Sequence, residues 1–173
     1  EGKLQIFGPK GTKKHIELLK EAFMFNINYN LEIIECKSGK IYEDSDIEIE
    51  ARDMSHIVPC LNFSIKEKDR RRIKLAFTNK LGIPEGPLIG RLQQGKEIEH
   101  NSKQIKPDDV TFVEKGKKIA YVTDTVLCDA CYKIADNADL LISEATYSSK
   151  LVGKSEEYGH MTAKQAAQIA NRA

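Results

Sequence analysis

The segment from residue 119 to residue 147 constrains the fold of this chain more than any other. It reads IAYVTDTVLCDACYKIADNADLLISEATY, and its two apolar runs end at Asp124 and at Glu144. About ten residues of helical character separate the runs, which favours a right-handed parallel β-α-β unit. Because the carboxyl ends of strands in an open α/β sheet face the ligand crevice, we expect Asp124 and Glu144 to lie side by side at that edge.

Two histidines are placed to join these carboxylates. The stretch DIEIEARDMSH alternates as a half-buried strand does, and His56 follows its end, whereas His160 lies in the polar loop after Glu144. Two carboxylates and two imidazoles suit a divalent metal ion, and one carboxylate can bridge two ions or act as an acid or base. On the residues alone, Asp124 could instead be a helix N-cap, Glu144 a surface residue closing a strand, and each histidine an ordinary polar side chain.

Local patterns predict elements before this segment. KLQIFGPKGT is typical of a strand that ends in a turn, with Thr12 as the N-cap of a helix over residues 13–24. LEIIECKSGKIYE predicts two short strands around a turn at Ser38 and Gly39.

Two further patterns predict a strand and a helix start. CLNFSIKE alternates, which points Leu61, Phe63 and Ile65 inward. Thr162 and Gln165 have the spacing of a capping box ahead of an alanine-rich helix that runs to the last residue. Because the chain begins in a strand and stops within a helix, we expect it to be part of a larger domain.

Composition excludes several classes of protein. The 173 residues provide enough chain for one core, and 40% hydrophobic with 31% charged residues is ordinary globular composition. No apolar stretch approaches the ~20 residues that cross a bilayer, and no signal peptide opens the sequence. We therefore expect a soluble, cytoplasmic protein with no membrane partner.

The cysteines are too sparse for a disulfide framework in a chain of this length. Cys128 and Cys131 form a C-x-x-C pair, which could be redox-active or half of a zinc site. Since no second C-x-x-C pair completes a tetrahedral site, the favoured interpretation is two small residues on a helix with Cys131 facing inward. The remaining cysteines are Cys36 and Cys60.

Residues 69–107 break the pattern of alternating elements. They are rich in glycine, proline and charge, and show little apolar periodicity. Residues 66–106 contain eleven Lys and Arg against five Asp and Glu, a balance of +6 in a chain whose net charge is +1. Long excursions of this kind are usually functional or disordered, and a basic one suits a phosphate-rich partner, although a solvated loop would look similar.

Five stretches, in order, together resemble one known family: SHIVPCLNFSIKEKDR, LGIPEGPLIGRLQQGKEI, VTDT followed by Cys128, ADLLISEATY and GHMTAKQAAQIA. The chain resembles ribonuclease Z, the metallo-β-lactamase-superfamily endonuclease that trims the 3′ trailer from precursor tRNA, over essentially its whole length. The resemblance implies an α/β fold, the αβ/βα sandwich of that superfamily, incomplete at both ends. It also implies a cofactor of two zinc ions per complete subunit, with manganese or magnesium as alternatives.

The resemblance also implies roles for individual residues. His56 and Asp124 correspond to metal ligands, with Asp124 bridging the two ions. Glu144 and His160 correspond to the acid–base pair, in which His160 protonates the leaving 3′ oxygen and Glu144 orients it. Ser143 stands where the family often has His, and Met161 where it often has Ser; both are tolerable.

The resemblance further divides the chain into three parts. Residues 1–68 and 108–173 are expected to belong to the metallo-β-lactamase domain, and residues 69–107 to be a flexible basic arm that grips tRNA. Homodimers, in which one subunit's arm serves the other's active site, are expected. The residues expected to contact tRNA are Arg70, Arg71, Arg72, Lys74, Arg91 and Lys96.

Two departures limit what the printed chain is expected to do by itself. The H-x-H-x-D-H signature, which supplies most metal ligands in the family, and the last T-H-x-S-like motif are both missing from the sequence. Only two residues that correspond to direct metal ligands remain, His56 and Asp124, and two ligands do not hold a dinuclear site. The printed chain is therefore expected to be inactive, although the protein that contains it is not.

Two other functions remain open at this point. One is a zinc phosphodiesterase of the same fold that acts on small substrates. The other is an RNA-binding or dimerising module without chemistry, which Arg70, Arg71 and Arg72 could support by themselves.

Overall fold

The computed structural model describes residues 2–25 and 27–173, which form two compact units. The larger unit comprises the chain up to Lys66 together with Lys117–Ala173, and the small unit is Glu67–Gly116. The elements in chain order are β1 (Lys3–Gly8), α1 (Thr12–Phe23), β2 (Asn30–Glu35), β3 (Gly39–Glu43), β4 (Ile47–Asp53), β5 (Leu61–Glu67), β6 (Arg70–Ile73), α2 (Leu75–Lys80), α3 (Pro87–Gln93), β7 (Ile98–His100), β8 (Lys103–Ile105), α4 (Pro107–Val110), β9 (Thr111–Glu114), β10 (Lys118–Val122), α5 (Asp129–Ala135), β11 (Leu140–Ser143), α6 (Val152–Glu157) and α7 (Ala163–Ala170).

A five-stranded sheet of order β11-β10-β5-β4-β3 organises the larger unit. Strands β10 and β11 are parallel, with Ile119 opposite Leu140 and Val122 opposite Ser143, and α5 connects them. The predicted β-α-β unit is therefore confirmed. Strand β5 runs antiparallel to β10 on its other side.

Helices α5 and α7 cover one face of this sheet and enclose the core of the larger unit. Its fully buried members come from β10, from both helices and from the loop before α7: Ala120, Val122, Cys131, Ile134, Ala135, Met161 and Ile169. The inward position expected for Cys131 is confirmed.

The prediction that Leu61, Phe63 and Ile65 all face inward is wrong at Ile65, which is 43% exposed. Alternation in β5 is real, but its buried face carries Asn62 and Ser64, and Ser64 lies opposite the fully buried Ala120 of β10. The Asn62 amide is satisfied there because it donates to the Thr123 carbonyl and accepts from the Thr123 N–H. Alternation alone identifies two faces of a strand but not which one is covered.

The face of the sheet opposite the one that carries Asn62 and Ser64 is apolar and exposed along β5, β10 and β11. Its side chains come from three neighbouring strands and pair across them, Ile65 with Ile119, Ile119 with Leu140, and Tyr121 with Ile142. Each of these five side chains is between 39% and 50% exposed.

Strands β1 and β2 form a separate parallel pair, with α1 between them in sequence. The strand and the helix were predicted, but the cap was not: Gly11, at φ 103°, is the N-cap, and the Thr12 hydroxyl donates to the Pro9 carbonyl instead. A left-handed backbone at the cap favours glycine, which explains why Thr12 is already helical.

The two strands expected around the turn at Ser38 and Gly39 are present, but they are not partners. Strand β2 pairs with β1, whereas β3 pairs antiparallel with β4. Ser38 instead caps the end of β4, since its backbone N–H and its hydroxyl both donate to the Asp53 carboxylate. These bonds hold the pKa of Asp53 below its usual range.

The small unit contains the segment 69–107, for which the sequence predicted little order. It has two antiparallel strand pairs, β6 with β9 and β7 with β8, and three short helices. Its own apolar cluster comprises Ile83, Leu92, Ile98, Ile105 and Val110.

The capping box predicted at the start of α7 is confirmed. The Thr162 hydroxyl accepts from the Gln165 backbone N–H, and the Gln165 side chain accepts from the Thr162 N–H at 2.8 Å. Among the residues that the structure describes, no helix combines the length and the apolar character needed to cross a membrane.

Candidate metal and acid–base site

The carboxyl ends of β10 and β11 bring two acidic residues to one edge of the sheet. Asp124 follows β10 after one residue, and Glu144 follows β11 directly. The Glu144 backbone N–H donates to the Val122 carbonyl at 2.8 Å, which continues the parallel ladder by one residue. The backbone pairing of the two strands therefore sets the distance between the two acidic residues, independently of any side-chain contact.

His160 joins these carboxylates from the loop between α6 and α7. Its Nδ1 lies 3.2 Å from Glu144 Oε1 and 3.9 Å from Asp124 Oδ1. Asp124, Glu144 and His160 each offer one ligand atom, and all three atoms lie within 4.8 Å of one another. The His160 backbone N–H donates to the Ser155 carbonyl, which anchors the loop to α6.

Glu144 is the most enclosed of the three residues, and several donors converge on it. Its side chain is 9% exposed, and its oxygens accept from the Thr125 backbone N–H at 3.0 Å and from the Thr146 hydroxyl at 2.5 Å. Burial by itself would raise the pKa of Glu144, but the bonds from Thr146, from the Thr125 and Met161 N–H groups and from His160 outweigh it and lower the pKa. Glu144 is therefore a preorganised carboxylate at neutral pH.

His56 reaches the same edge from the loop after β4. Its ring centroid lies 5.3 Å from that of His160, and its Nδ1 lies 2.8 Å from the Gly159 carbonyl oxygen. Because a carbonyl only accepts, this contact places the hydrogen on Nδ1 and leaves the Nε2 lone pair available as a ligand atom.

Gly159 permits this approach in two ways. Its φ is +77°, and a Cβ added there would meet His56 Nδ1 at 2.5 Å. A side chain at this position would therefore collide with His56 as well as strain the backbone. Since Gly159 directly precedes His160, one short loop positions both histidines.

The residues at this edge suit a divalent metal ion. Carboxylate oxygens and an imidazole nitrogen are the usual ligands of zinc, manganese and magnesium in varying proportion. Exposure rises from Glu144 (9%) through His160 (24%) to Asp124 (62%), so Asp124 presents its carboxylate outward. A cavity of about 430 Å³ adjoins His56 and is also lined by Ser55, Val126 and Glu156.

All four predicted site residues thus lie together, as expected from the strand order. The roles assigned to His56, Asp124, Glu144 and His160 stay predictions, because position alone does not separate a ligand from an acid or base.

Sequence reasoning missed the residues that hold this group in place. Thr125 and Thr146 donate to Glu144, and the Gly159 carbonyl accepts from His56. Thr125 belongs to the stretch VTDT and Thr146 to EATY, so both threonines lie in the motifs that indicated the family, but neither had an assigned role. The Thr125–Glu144 bond joins residues 19 positions apart, and the His56–Gly159 bond joins residues 103 positions apart. Hydrophobic periodicity does not detect pairings at such separations.

Three of the four predicted tRNA-binding arginines lie on β6, and Arg71 and Arg72 among them pair with acidic residues. The Arg71 guanidinium lies 2.6 Å from Asp108 and 2.7 Å from the Thr111 hydroxyl. Arg72 Nε lies 2.7 Å from Glu114. Arg71 is 23% exposed and Arg72 49%. Within the bounds of the small unit, residues 67–116, eleven basic side chains face eight acidic ones, which leaves +3.

The other predicted tRNA-binding residues have local contacts of their own. Arg91 donates to the Glu97 carbonyl, and Lys96 to the Gln94 side chain. Lys74 Nζ lies 5.7 Å from the centre of the Phe77 ring. Arg70 belongs to β6 and is exposed. Their contact with tRNA stays a prediction.

Comparison with known proteins supports the fold and the resemblance. No family model matches the chain. Ribonuclease Z from Bacillus cereus (strain AH187) and from Bacillus thuringiensis (strain Al Hakam) are each 34% identical over 174 residues, which cover 98% of this chain and 57% of theirs. The chain therefore spans a little over half the length of the curated relatives it matches.

Solved structures agree on the fold. The short form of human tRNase Z superposes with a TM-score of 0.62 at 18% identity, over 99% of this chain and 57% of its own. A metallo-β-lactamase-fold protein of Bacillus subtilis gives 0.54 at 17% identity, over 97% of this chain and 47% of its own. The long form of RNase Z from yeast gives 0.56 at 14% identity, over 99% and 22%. The predicted fold, part of a metallo-β-lactamase αβ/βα sandwich, is confirmed.

Proposed function

We propose that this chain, which is similar to Ribonuclease Z over 98% of its length, is part of a zinc-dependent endoribonuclease that removes the 3′ trailer from precursor tRNA. The observation that carries this proposal is the convergence of Asp124, Glu144 and His160, each of which brings a carboxylate oxygen or an imidazole nitrogen within 4.8 Å of the others. The chain covers 57% of the relatives' length, so the activity belongs to a protein of that full length.

Glu144 and His160 form the acid–base pair of the proposed reaction. Glu144 is ionised and accepts from His160 Nδ1, a contact of 3.2 Å. With Nδ1–H held in this way, a protonated His160 directs Nε2–H away from Glu144 and can pass that proton to the leaving 3′ oxygen. A general acid so placed contributes typically ~10²–10⁴-fold to the rate.

His56 and Asp124 would hold the metal. His56 offers Nε2, because Nδ1 is engaged by the Gly159 carbonyl, and Asp124 offers a carboxylate that is 62% exposed. Zinc, when bound, supplies a Lewis acid that activates water and steadies charge on the phosphate oxygens. Manganese or magnesium could replace it, since the oxygen ligands suit all three ions.

The small unit would contact the tRNA backbone. Its Lys and Arg side chains add phosphate contacts that carry no base information, so tRNA affinity should fall as salt concentration rises. Recognition would then depend on tRNA shape and on the single-stranded 3′ end. We include homodimerisation and a cytoplasmic location in the proposal.

The test is an assay of a protein of the relatives' full length on precursor tRNA bearing a 3′ trailer, with zinc or manganese. Endonucleolytic cleavage that releases the trailer is expected. The Asp124→Ala variant is expected to lose both this cleavage and its bound metal. The 173-residue chain by itself is expected to be inactive, because two ligands do not hold two ions.

Two outcomes would contradict the proposal. Cleavage of small phosphodiesters without cleavage of precursor tRNA would indicate the phosphodiesterase alternative. Tight tRNA binding by a full-length protein that contains no stoichiometric metal would indicate a binding module without chemistry.

A further inference from the structure

The proposed function gives no role to the thiols of Cys128 and Cys131, which lie close together in the larger unit. Cys128 directly precedes α5 and Cys131 lies in its first turn, with 3.7 Å between their sulfur atoms. Both belong to, or pack against, the core cluster formed by β10, α5 and α7. The other two cysteines, Cys36 and Cys60, belong to other parts of the larger unit.

The two thiols differ in access and acidity. Cys131 is fully buried, whereas Cys128 is partly exposed. The contact between the two sulfurs lowers the pKa of Cys128 to about 5 and raises the pKa of Cys131. Cys128 is therefore the nucleophile of the pair, and Cys131 is the thiol placed to resolve it.

We propose that Cys128 and Cys131 are a reversible oxidation site that hydrogen peroxide converts to a disulfide. The Cys128 thiolate attacks one peroxide oxygen, the O–O bond breaks, and the displaced hydroxide takes a proton to leave as water. Cys131 then loses its proton, its sulfur attacks the Cys128 sulfenic acid, and a second water leaves. The two thiols give up two electrons and two hydrogens in total, and a small dithiol reductant restores them by disulfide exchange.

The geometry connects this site to Glu144 through Thr125. The Thr125 hydroxyl lies 3.9 Å from the Cys128 sulfur, and the Thr125 N–H donates to Glu144 Oε1. The Cys131 thiol also faces the Val126 carbonyl at 3.8 Å. A disulfide draws the sulfurs from 3.7 Å to about 2.05 Å and removes the Cys131 S–H. We expect residues 125–128 to shift as the sulfurs close, and with them the Thr125 N–H that donates to Glu144.

The chemical part of the proposal is tested by peptide mapping of a full-length protein treated with hydrogen peroxide. We expect a Cys128–Cys131 linkage, seen as the loss of two hydrogens from the peptide that contains both residues, and its reversal by dithiothreitol. A variant with Cys36→Ser and Cys60→Ser should form the same linkage. In Cys131→Ser, a sulfenic acid at Cys128 should accumulate and react with a dimedone probe. Peroxide that leaves both thiols free, or that first modifies Cys131, would overturn the proposal.

The coupling part rests on the proposed function and is tested separately. Cleavage of precursor tRNA should fall about 5-fold or more on oxidation and recover with dithiothreitol, a size typical of coupling between sites. Cys131→Ser should remove the reversible component. Unchanged cleavage by fully disulfide-linked protein would overturn the coupling, whereas absence of cleavage in the reduced protein would count against the proposed function alone, because the peptide map does not depend on it.

Discussion

Charge is held in two contrasting ways at two places, Glu144 in the larger unit and the arginines of β6 in the small unit. In the larger unit, Glu144 is almost enclosed and receives neutral donors, Thr125 and Thr146, from separate loops. In the small unit, Arg71 and Arg72 meet acidic partners, and Arg72 does so at the surface. Neutral donors fix a charge in place without cancelling it, whereas ion pairs cancel the charge they hold.

This difference sets the energies at stake. Removing a donor from a buried carboxylate costs about 1–3 kcal/mol, because the desolvated group keeps no substitute. A surface ion pair contributes about 0–1 kcal/mol and is screened by salt. We therefore expect substitutions around Glu144 to change chemistry sharply, and those among the surface ion pairs of the small unit to change affinity gradually.

The largest effect is expected from His160→Gln in a full-length protein. Loss of the proposed proton donor should lower kcat for precursor tRNA by about 10²–10⁴-fold while stability changes little, since Gln retains polar atoms in the loop. The matched control is His100→Gln in the small unit, whose Nε2 lies 2.9 Å from the Gly82 carbonyl. A similar kcat loss in both variants would contradict the division of labour between the units.

The sequence predicted this edge of the sheet because its signals are local. The apolar runs, their spacing and the acid at the end of each fix a parallel β-α-β unit, and the unit then fixes Asp124 and Glu144. The bonds that hold the site join distant positions, as between His56 and Gly159, and no local pattern encodes such a pairing. Sequence reasoning thus predicted which side chains meet at this edge, but not the groups that hold them there.

The next largest effect is expected from Leu92→Ala, which opens a cavity in the small unit. Leu92 is fully buried in a cluster of five apolar residues, and truncation should lower the free energy of unfolding of that unit by about 2–5 kcal/mol. Because the larger unit has its own cluster, the His160 signals in an NMR spectrum should persist while those of the small unit broaden. Coincident loss of both sets would show that the two clusters form one cooperative structure.

Sequence reasoning underestimated the small unit for a physical reason. Its apolar residues are spread over short helices and strands of three to seven residues, too short for a period of 2 or 3.6 to repeat. The error at Ile65 has another cause, since two alternating faces look alike until it is known which one the helices cover. Both failures come from packing between elements, which a single stretch of sequence does not contain.

A smaller and more specific effect is expected from Gly159→Ala. A left-handed backbone costs a non-glycine residue about 1–2 kcal/mol, and the new Cβ would also displace His56. The Nδ1–H form of His56, detected by ¹⁵N chemical shifts, should give way to the Nε2–H form, and metal affinity should fall.

Gly95→Ala is the matched control for that substitution. Gly95 has a φ of +75°, against +77° for Gly159, but an added Cβ there meets nothing within 4 Å. The control should therefore cost stability through backbone strain and leave the His56 tautomer unchanged. An unaltered His56 tautomer in Gly159→Ala would show that the carbonyl contact does not set it.

The smallest effect is expected from neutralising single basic residues of the small unit, and it separates paired from locally bonded charges. Lys96→Gln removes a cation whose contact is the neutral Gln94 side chain, so tRNA affinity should fall and the slope of log affinity against log salt should shrink by about 1. Arg72→Gln removes a cation that Glu114 already neutralises, so the slope should change by much less. Equal slopes for the two variants, measured by filter binding across a salt series, would mean that tRNA displaces Glu114 from Arg72. The arginines of β6 would then exchange their acidic partners for tRNA phosphates when tRNA binds.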